Sequence, residues 1–467
     1  MSWWVSPETL CGQNAHGHYL KEWERVVPRV QAINGDVDLA TFTHWGQDHI
    51  WNEAVDDEGG DAADNPRTLG LHWSRRSIHA SHFIGAVRLG NEADAAPLII
   101  LPKVERMDLA GMFAAVLAAP QEHTGTHLDH LFGCDVEQDP IDGVDLPDLT
   151  LLEVIAYLHA LSRFVQRSLR QGFMQIRTNL VGKVRGRVLI AEQIRQNLVH
   201  ARADRMVCEF TVFNLDTLEN RILKAALQAT TNWLTRQALP GSLAALLHSW
   251  SAISRTGLAG VPEYRVNPRD WVSARKNGLM AAYATPLAYA RLVLTRLHIA
   301  ASGQAAEEGH RTLPFFLDAN RLFEGWVGVC LAAANCHPIS QKTSPRTICG
   351  KRVEFTPDFV LTDPHAVVDA KYKRLDPRRN QGRIPVTDLY QIIGYTRLLE
   401  IPGQQGYTQA WLAVPHIDPA IQHLDLGSAK TAFGNNWANR IGTTWPDGYI
   451  LGCVLVPLPI LQIPGGG

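Results

Sequence analysis

Two aspartates and a lysine lie close together within residues 352–374, in a spacing that suits metal-dependent cleavage of a phosphodiester. Asp358 follows a proline, and Asp369 is followed two residues later by Lys371. Mg²⁺ binds to one or two carboxylates while keeping water and phosphate oxygens as its other ligands. A lysine beside such a site can orient or deprotonate an attacking water. The alternative for so short a motif is a charged edge strand with a solvated lysine.

Two strands are predicted to position these residues. The segment divides into two apolar, β-branched stretches around residues 362–365, a polar turn that contains proline. Because side chains alternate along a strand, Asp369 and Lys371 should project to one face and Ala370 to the other. Burying these charges beside apolar residues is costly unless a metal or a partner compensates them. The hairpin therefore predicts a compensated charged site.

Helices are predicted on both sides of this hairpin in the sequence. The first follows Asp318, a candidate N-cap, and carries Glu324 next to its apolar stripe. Glu324 could reach over a sheet edge toward a metal, or could be a surface charge. The second helix carries Gln391 and Tyr395, which are four residues apart and so share one face. This pair could act at the site or only pack the helix on the sheet.

The composition is that of an ordinary globular protein. The chain has 467 residues, enough for two or three domains, and a net charge of −2. Its 7 cysteines form no C-x-x-C pair, which argues against structural zinc and a disulfide framework. No apolar run is long enough for a membrane span, and the N-terminus does not have the pattern of a signal peptide. We therefore expect a cytoplasmic protein.

The small net charge conceals an uneven distribution. Residues 1–150 have 9 Lys and Arg against 24 Asp and Glu, and residues 151–305 have 20 against 8. A basic middle region indicates an anionic partner, either DNA or an acidic protein surface. In a strand, Lys183, Arg185 and Arg187 would share one face and could contact phosphates or a partner's carboxylates. The alternative, to which we give equal weight, is that this strand face contacts only solvent.

Several sequence segments occur in a consistent order over roughly residues 80–400. They are FIGAVRLG with LIILPKVE, LVGKVRGRVLIAEQIRQN, FNLDTLENRILKAAL, FLDANRLFEGWVG, TPDFVL with VVDAKYKR, and DLYQIIGYTR. Together these segments resemble the McrC family, the nuclease subunits of McrBC-type modification-dependent restriction systems. This resemblance is far more specific than the aspartate and lysine motif alone.

The resemblance implies a multidomain α/β fold. It predicts an acidic, β-rich region over 1–150, a basic, mainly helical region over 151–305 that docks on a partner, and a nuclease domain over 306–467. That last domain would have the restriction-endonuclease-like PD-(D/E)xK fold, an α/β/α arrangement with a mixed sheet. The implied partner is a hexameric AAA+ GTPase, whose GTP hydrolysis the chain would stimulate and which would deliver modified double-stranded DNA. The chain itself has no G-x-x-x-x-G-K-[ST] motif.

The resemblance also implies roles for single residues. Asp358, Asp369, the Ala370 carbonyl and Glu324 would bind one or two Mg²⁺ ions, and Lys371 would act on the attacking water. Gln391 and Tyr395 resemble the Q-x-x-x-Y motif of RecB-like nucleases, where they would hold the substrate phosphate or the lysine.

Two other functions fit the same sequence. One is a stand-alone RecB-like nuclease of DNA repair, which would cut DNA without a partner or GTP. The other is an adaptor that activates an AAA+ ring and whose nuclease fold is vestigial. The presence of all three motif residues, Asp358, Asp369 and Lys371, weighs against the adaptor.

Overall fold

The structure is a computed structural model. It describes residues 18–21, 25–26, 72–74, 77–79, 82–88, 97–102, 104, 107–134, 149–276, 278–301, 315–348, 351–372, 386–399, 407–416, 423–440, 442–446 and 448–461. The chain divides into two compact units, residues 1–152 with 301–467 and residues 153–300. The three regions predicted above, with their separate roles, stay a prediction.

Both strands and helices occur along the described residues. The strands are β1 (His18–Lys21), β2 (Arg25–Val26), β3 (His72–Ser74), β4 (Ser77–His79), β5 (Phe83–Arg88), β6 (Pro97–Leu101), β7 (Phe132–Cys134), β8 (Gly172–Val181), β9 (Arg187–Val188), β10 (Arg205–Asn214), β11 (Phe315–Asp318), β12 (Pro338–Ser340), β13 (Ser344–Ile348), β14 (Lys351–Phe355), β15 (Phe359–Thr362), β16 (His365–Ala370), β17 (Gln409–His416), β18 (Gly442–Thr444) and β19 (Ile450–Pro457).

The α-helices are α1 (Leu109–Ala118), α2 (Gln121–Thr124), α3 (Leu128–Leu131), α4 (Leu149–Arg167), α5 (Ile190–Gln196), α6 (Leu218–Leu234), α7 (Gly241–Gly257), α8 (Pro268–Ser273), α9 (Ala284–Ala301), α10 (Ala319–Ala333), α11 (Val386–Leu398) and α12 (Leu426–Ala438). Short 3-10 helices occupy Leu198–His200 and Gly278–Tyr283. Among the described residues, no helix is long and apolar enough to cross a membrane.

A six-stranded mixed sheet dominates the first unit, in the order β12-β15-β16-β17-β19-β18. The β16–β17 and β17–β19 pairs are parallel, and the other pairs are antiparallel. Helix α11 packs on β16 and β17, where Ile392, Val367 and Leu412 belong to one buried apolar cluster. Helix α10 lies against the opposite face of β16, where the Phe323 ring lies 5.3 Å from that of Tyr372. The expected α/β class with a mixed sheet is therefore confirmed.

The two strands predicted around residues 362–365 are confirmed as β15 and β16, which pair antiparallel. Residues of β16 alternate as expected: Val367 faces α11 while Tyr372, just beyond the strand, faces α10. Asp369 has the parity of Val367 and so points to the α11 face. Strand periodicity is enough to place the charged residues on one face.

A second sheet of the first unit joins distant parts of the sequence, in the order β1-β6-β5-β11-β7. Strand β11 pairs antiparallel with β5 and β7, and α10 follows it directly. The side chain of Asp318 accepts a hydrogen bond from the Arg321 amide at 3.0 Å, so the predicted N-cap is confirmed. This cap sets the start of the helix that carries Glu324.

The second unit contains a three-stranded antiparallel sheet, β8-β10-β9, beside its helices. The basic segment differs from its prediction, because Lys183 and Arg185 lie outside any strand and only Arg187 belongs to one. Gly182 and Gly186 have φ values of 63° and 69°, which turn the chain. A Cβ at Gly186 would collide with the Glu209 backbone. The three cations therefore form an exposed loop and strand start rather than one strand face.

Candidate active site

Strand pairing brings the two motif aspartates together. Phe359 is opposite Val368, so Asp358 and Asp369 are neighbours at the same end of β15 and β16. The Ala370 amide donates a hydrogen bond of 2.6 Å to Asp358 Oδ2. Asp369 is only 1% exposed. The structure therefore places one carboxylate of each strand at a single buried position.

Lys371 lies at this position as predicted. Its Nζ is 2.8 Å from Asp369 Oδ2, and its backbone amide continues the pairing with β17 by donating to Ala413 O at 2.8 Å. Burial alone would lower the pKa of Lys371, but attraction by Asp369 and Asp358 outweighs burial and raises it. The side chain is therefore held as an ammonium group at neutral pH.

The carboxylates repel one another in this pocket. Burial raises the pKa of Asp358 well above its usual value, and the charges of Asp369 and Glu324 raise it further. Attraction by Lys371 and the hydrogen bond from the Ala370 amide act in the opposite direction. One lysine therefore does not neutralise the group, and an additional cation would relieve the repulsion.

Glu324 approaches the pair from α10 and is half-buried. Its Oε1 accepts a hydrogen bond of 3.2 Å from Gln341 Nε2. Burial raises the pKa of Glu324 to about 7, and Asp318 and Asp369 add to that shift, whereas Gln341 and Arg321 oppose it. Its electrostatic interaction with both aspartates places Glu324 at the site rather than on an unrelated surface.

Glu324→Gln is expected to make stability less dependent on pH. The folded pKa of about 7 lies above the ordinary 4.5, so folded wild type binds more protons than the unfolded chain between these values. Its free energy of unfolding therefore falls as the pH rises through that window. We expect the free energy of unfolding of Glu324→Gln to fall by on the order of 1–2 kcal/mol less than that of wild type across this window. The partial exposure of Glu324 keeps the difference to this size.

Denaturant unfolding at pH 5 and pH 8 without divalent metal measures the effect. Glu122→Gln is the matched control, since that carboxylate is 77% exposed. Equal pH dependence in wild type and Glu324→Gln would contradict the assignment of a raised pKa to Glu324.

Gln391 and Tyr395 share one face of α11 as predicted, and Gln391 Nε2 donates a hydrogen bond of 2.8 Å to the Tyr395 hydroxyl. The Tyr395 ring packs against the apolar cluster under α11. Burial raises the pKa of Tyr395, Gln391 opposes the shift, and Asp369 and Asp358 add to it. The tyrosine therefore packs the helix and also interacts electrostatically with the carboxylate pair.

Two residues near the site escaped the sequence analysis. Asp388, which is buried on α11, raises the pKa of Lys371 through its charge. Its position three residues before Gln391 is a spacing that could have indicated it. Gln341 has no such signal, because it lies in a connection 17 residues after Glu324 in sequence.

The donor set suits a hard divalent cation with few protein ligands. Among the described residues, no group of three or more His, Cys, Asp or Glu is arranged to hold a metal ion, so the observed set is the aspartate pair and the contribution of Glu324 stays a prediction. Two carboxylates, with the Ala370 carbonyl beside them, match the few ligands that Mg²⁺ takes from a protein. Two neighbouring carboxylates, whose charges repel one another, favour a cation here.

Comparison with known proteins gives a family and similar solved structures. The family model described as "McrBC 5-methylcytosine restriction system component" matches residues 78–407. A Thermococcus gammatolerans assembly of McrB AAA+ hexamers with bound McrC is 17% identical, covers 94% of each chain and has a TM-score of 0.41. The McrBC complex of that organism is also 17% identical, covers 68% of this chain and 87% of that one, and has a TM-score of 0.29. No curated protein matches.

Proposed function

This chain belongs to the McrBC 5-methylcytosine restriction system component family, and from that premise we propose that it is the DNA-cleaving subunit of a restriction system. Its cleavage centre would be Asp358, Asp369 and Lys371, in a nuclease domain of the PD-(D/E)xK type. The observation that carries the proposal is the Lys371 ammonium group 2.8 Å from buried Asp369, with Asp358 on the adjoining strand. This pairing of charges is unusual in a core and suits a site for anionic substrate and cation.

Asp358, Asp369 and the Ala370 carbonyl would hold Mg²⁺, with Glu324 contributing from α10. The ion would supply a Lewis acid that polarises the phosphate and lowers the pKa of a water. Lys371 acts as a cation that orients the water and offsets charge on the phosphate oxygens. Its raised pKa favours this role over that of a general base.

Gln391 and Tyr395 would hold the substrate phosphate. Since Gln391 donates to the tyrosine oxygen, the tyrosine proton can be directed to another acceptor. A phosphate oxygen beside Lys371 is such an acceptor. Tyr395 would thus bind the DNA backbone while its ring fixes the position of α11.

The partner proposed for the second unit is an AAA+ GTPase, and three apolar side chains support a docking surface there. Ile190, Ile194 and Leu198 are 71%, 46% and 58% exposed, and their spacing of four residues places them on one face of α5 and the 3-10 turn after it. We call these three residues the apolar stripe. An unburied stripe of this kind suits insertion into a partner's groove.

The basic segment lies immediately before the apolar stripe in sequence. Lys183, Arg185 and Arg187 are all exposed, and the Arg185 guanidinium lies 4.5 Å from the Phe210 ring centroid. Because the basic segment and the apolar stripe are adjacent in sequence, the same partner could bind both of them. This favours a partner groove with an acidic rim. DNA contact by these three residues is the competing outcome.

Cleavage of 5-methylcytosine-containing DNA tests the proposal and separates it from the alternatives. The full chain is purified with and without a McrB-like AAA+ protein, and cleavage is followed with GTP and Mg²⁺. We expect cleavage only with the partner and GTP. Cleavage by the chain alone would indicate a stand-alone nuclease, and undiminished biological activity of Lys371→Ala would indicate an adaptor.

A further inference from the structure

The connection between α10 and β12 contains unusual backbone conformations. Asn335, His337 and Gln341 have φ values of 58°, 45° and 47°. Residues other than glycine adopt this left-handed region at a cost, and they persist there when surrounding contacts hold them. Of these three, Gln341 touches the carboxylate site. Its conformation therefore raises the question of what its contacts do.

Gln341 bonds to two of the proposed metal ligands. Its backbone amide donates a hydrogen bond of 2.9 Å to the Asp358 carbonyl, and its side-chain amide donates one of 3.2 Å to Glu324 Oε1. The antiparallel pairing of Ser340 with Phe359 leads directly into this arrangement. One residue thus links the backbone of β15 to the carboxylate on α10.

The segment before Gln341 is itself fixed on α2. Ser340 Oγ lies 3.3 Å and 3.1 Å from the backbone oxygens of Gln121 and Glu122. Gly125 has a φ of 65°, and a Cβ there would lie 3.2 Å from Gln341 Cδ, so the glycine allows the Gln341 side chain to lie close to this backbone. The segment is therefore held on one side by α2 and Gly125.

A cavity lies on the remaining side. It has a volume of about 440 Å³ and is lined by Arg321, His127 and Gln341, among other residues. Solvent can fill the space that a truncated Gln341 would leave, so truncation should not collapse the core. This makes Gln341 suitable for substitution.

We propose that Gln341 is a positioning residue, which orients Glu324 so that its carboxylate joins Asp358 and Asp369 in binding a divalent cation. The inference rests on the proposed function, because it takes Glu324 as a ligand. Residues that hydrogen-bond to metal ligands fix their orientation, and their loss typically lowers metal affinity about 10–100-fold. Gln341 itself would not contact the ion.

Calorimetric titration of Mn²⁺ into the full chain without DNA tests this role. Gln341→Ala removes the amide and keeps the Cβ, and with it the backbone strain of wild type, whereas Gln341→Gly removes the amide and relieves that strain. We expect both variants to bind Mn²⁺ about 10-fold more weakly than wild type. Wild-type affinity in Gln341→Ala, with weaker binding only in Gln341→Gly, would overturn the proposal in favour of a backbone role.

A double-variant comparison separates the inference from the function it rests on. If Gln341 acts through Glu324, Gln341→Gly should have no further effect on Mn²⁺ affinity when Glu324→Gln is already present. Weaker binding by Glu324→Gln but not by Gln341→Gly would overturn the positioning role alone. Wild-type affinity in Glu324→Gln would remove Glu324 from the ligand set, and the positioning role with it.

Discussion

Lys371→Ala is expected to abolish metal-dependent DNA cleavage by the partner-activated complex, with a rate loss of about 10³-fold or more. The substitution removes the cation that lies 2.8 Å from Asp369 Oδ2. Without this positive charge, the carboxylates would repel the substrate phosphate. GTP hydrolysis by the partner should still be stimulated, because the apolar stripe belongs to the other compact unit. Cleavage and GTP hydrolysis are measured on the same preparation.

Lys342→Ala is the matched control for this loss. Lys342 belongs to the same unit but is exposed, and we expect its cleavage rate to remain close to wild type. Circular dichroism tests whether Lys371→Ala keeps its fold. Wild-type cleavage by a folded Lys371→Ala would show that this lysine is not part of the cleavage centre.

The second large effect is expected from the apolar stripe. The triple substitution Ile190→Ser, Ile194→Ser and Leu198→Ser should weaken binding to the AAA+ partner about 100-fold or more, since apolar anchors dominate interface energies. Stimulation of GTP hydrolysis should be lost with it. Helix α5 should stay in place, because buried Gln193 on the same helix bonds to the Val207 amide and the Arg205 carbonyl.

Val272→Ser and Leu279→Ser form the control for the stripe. These side chains are 88% and 82% exposed in the same unit but lie outside the stripe. Partner affinity is measured by surface plasmon resonance at low and high salt, where a contribution from Lys183, Arg185 and Arg187 would appear as weaker binding at high salt. Equal losses from the control and stripe variants would contradict a specific docking role for the stripe.

Local patterns account for the parts of the fold that the sequence predicted well. The alternation along β16 and the proline turn before it were enough to place Asp369 on one face of a hairpin. Asp318 was recognisable as an N-cap because capping depends on a residue type at one position. The helical spacing of Gln391 and Tyr395 likewise predicted their shared face.

Features that depend on distant contacts or on special backbone angles were not predictable in this way. Strand β11 begins at Phe315 and pairs with β5 and β7. These two strands begin at Phe83 and Phe132, more than 180 residues earlier in the chain. The cations at alternate positions predicted a strand through Lys183 and Arg185. The glycines beside them instead adopt positive φ and turn the chain. Gln341 gave no signal, since its role depends on where the chain brings it.

The most direct test of the central claim compares DNA cleavage by wild type and Asp369→Asn. Both full chains are incubated with the AAA+ partner, GTP, Mg²⁺ and 5-methylcytosine-containing DNA, and Asp363→Asn, an exposed aspartate in the turn of the same hairpin, is the control. We expect Asp363→Asn to cut like wild type and a folded Asp369→Asn to make no cuts. Cleavage by Asp369→Asn at the wild-type rate would contradict the assignment of the active site.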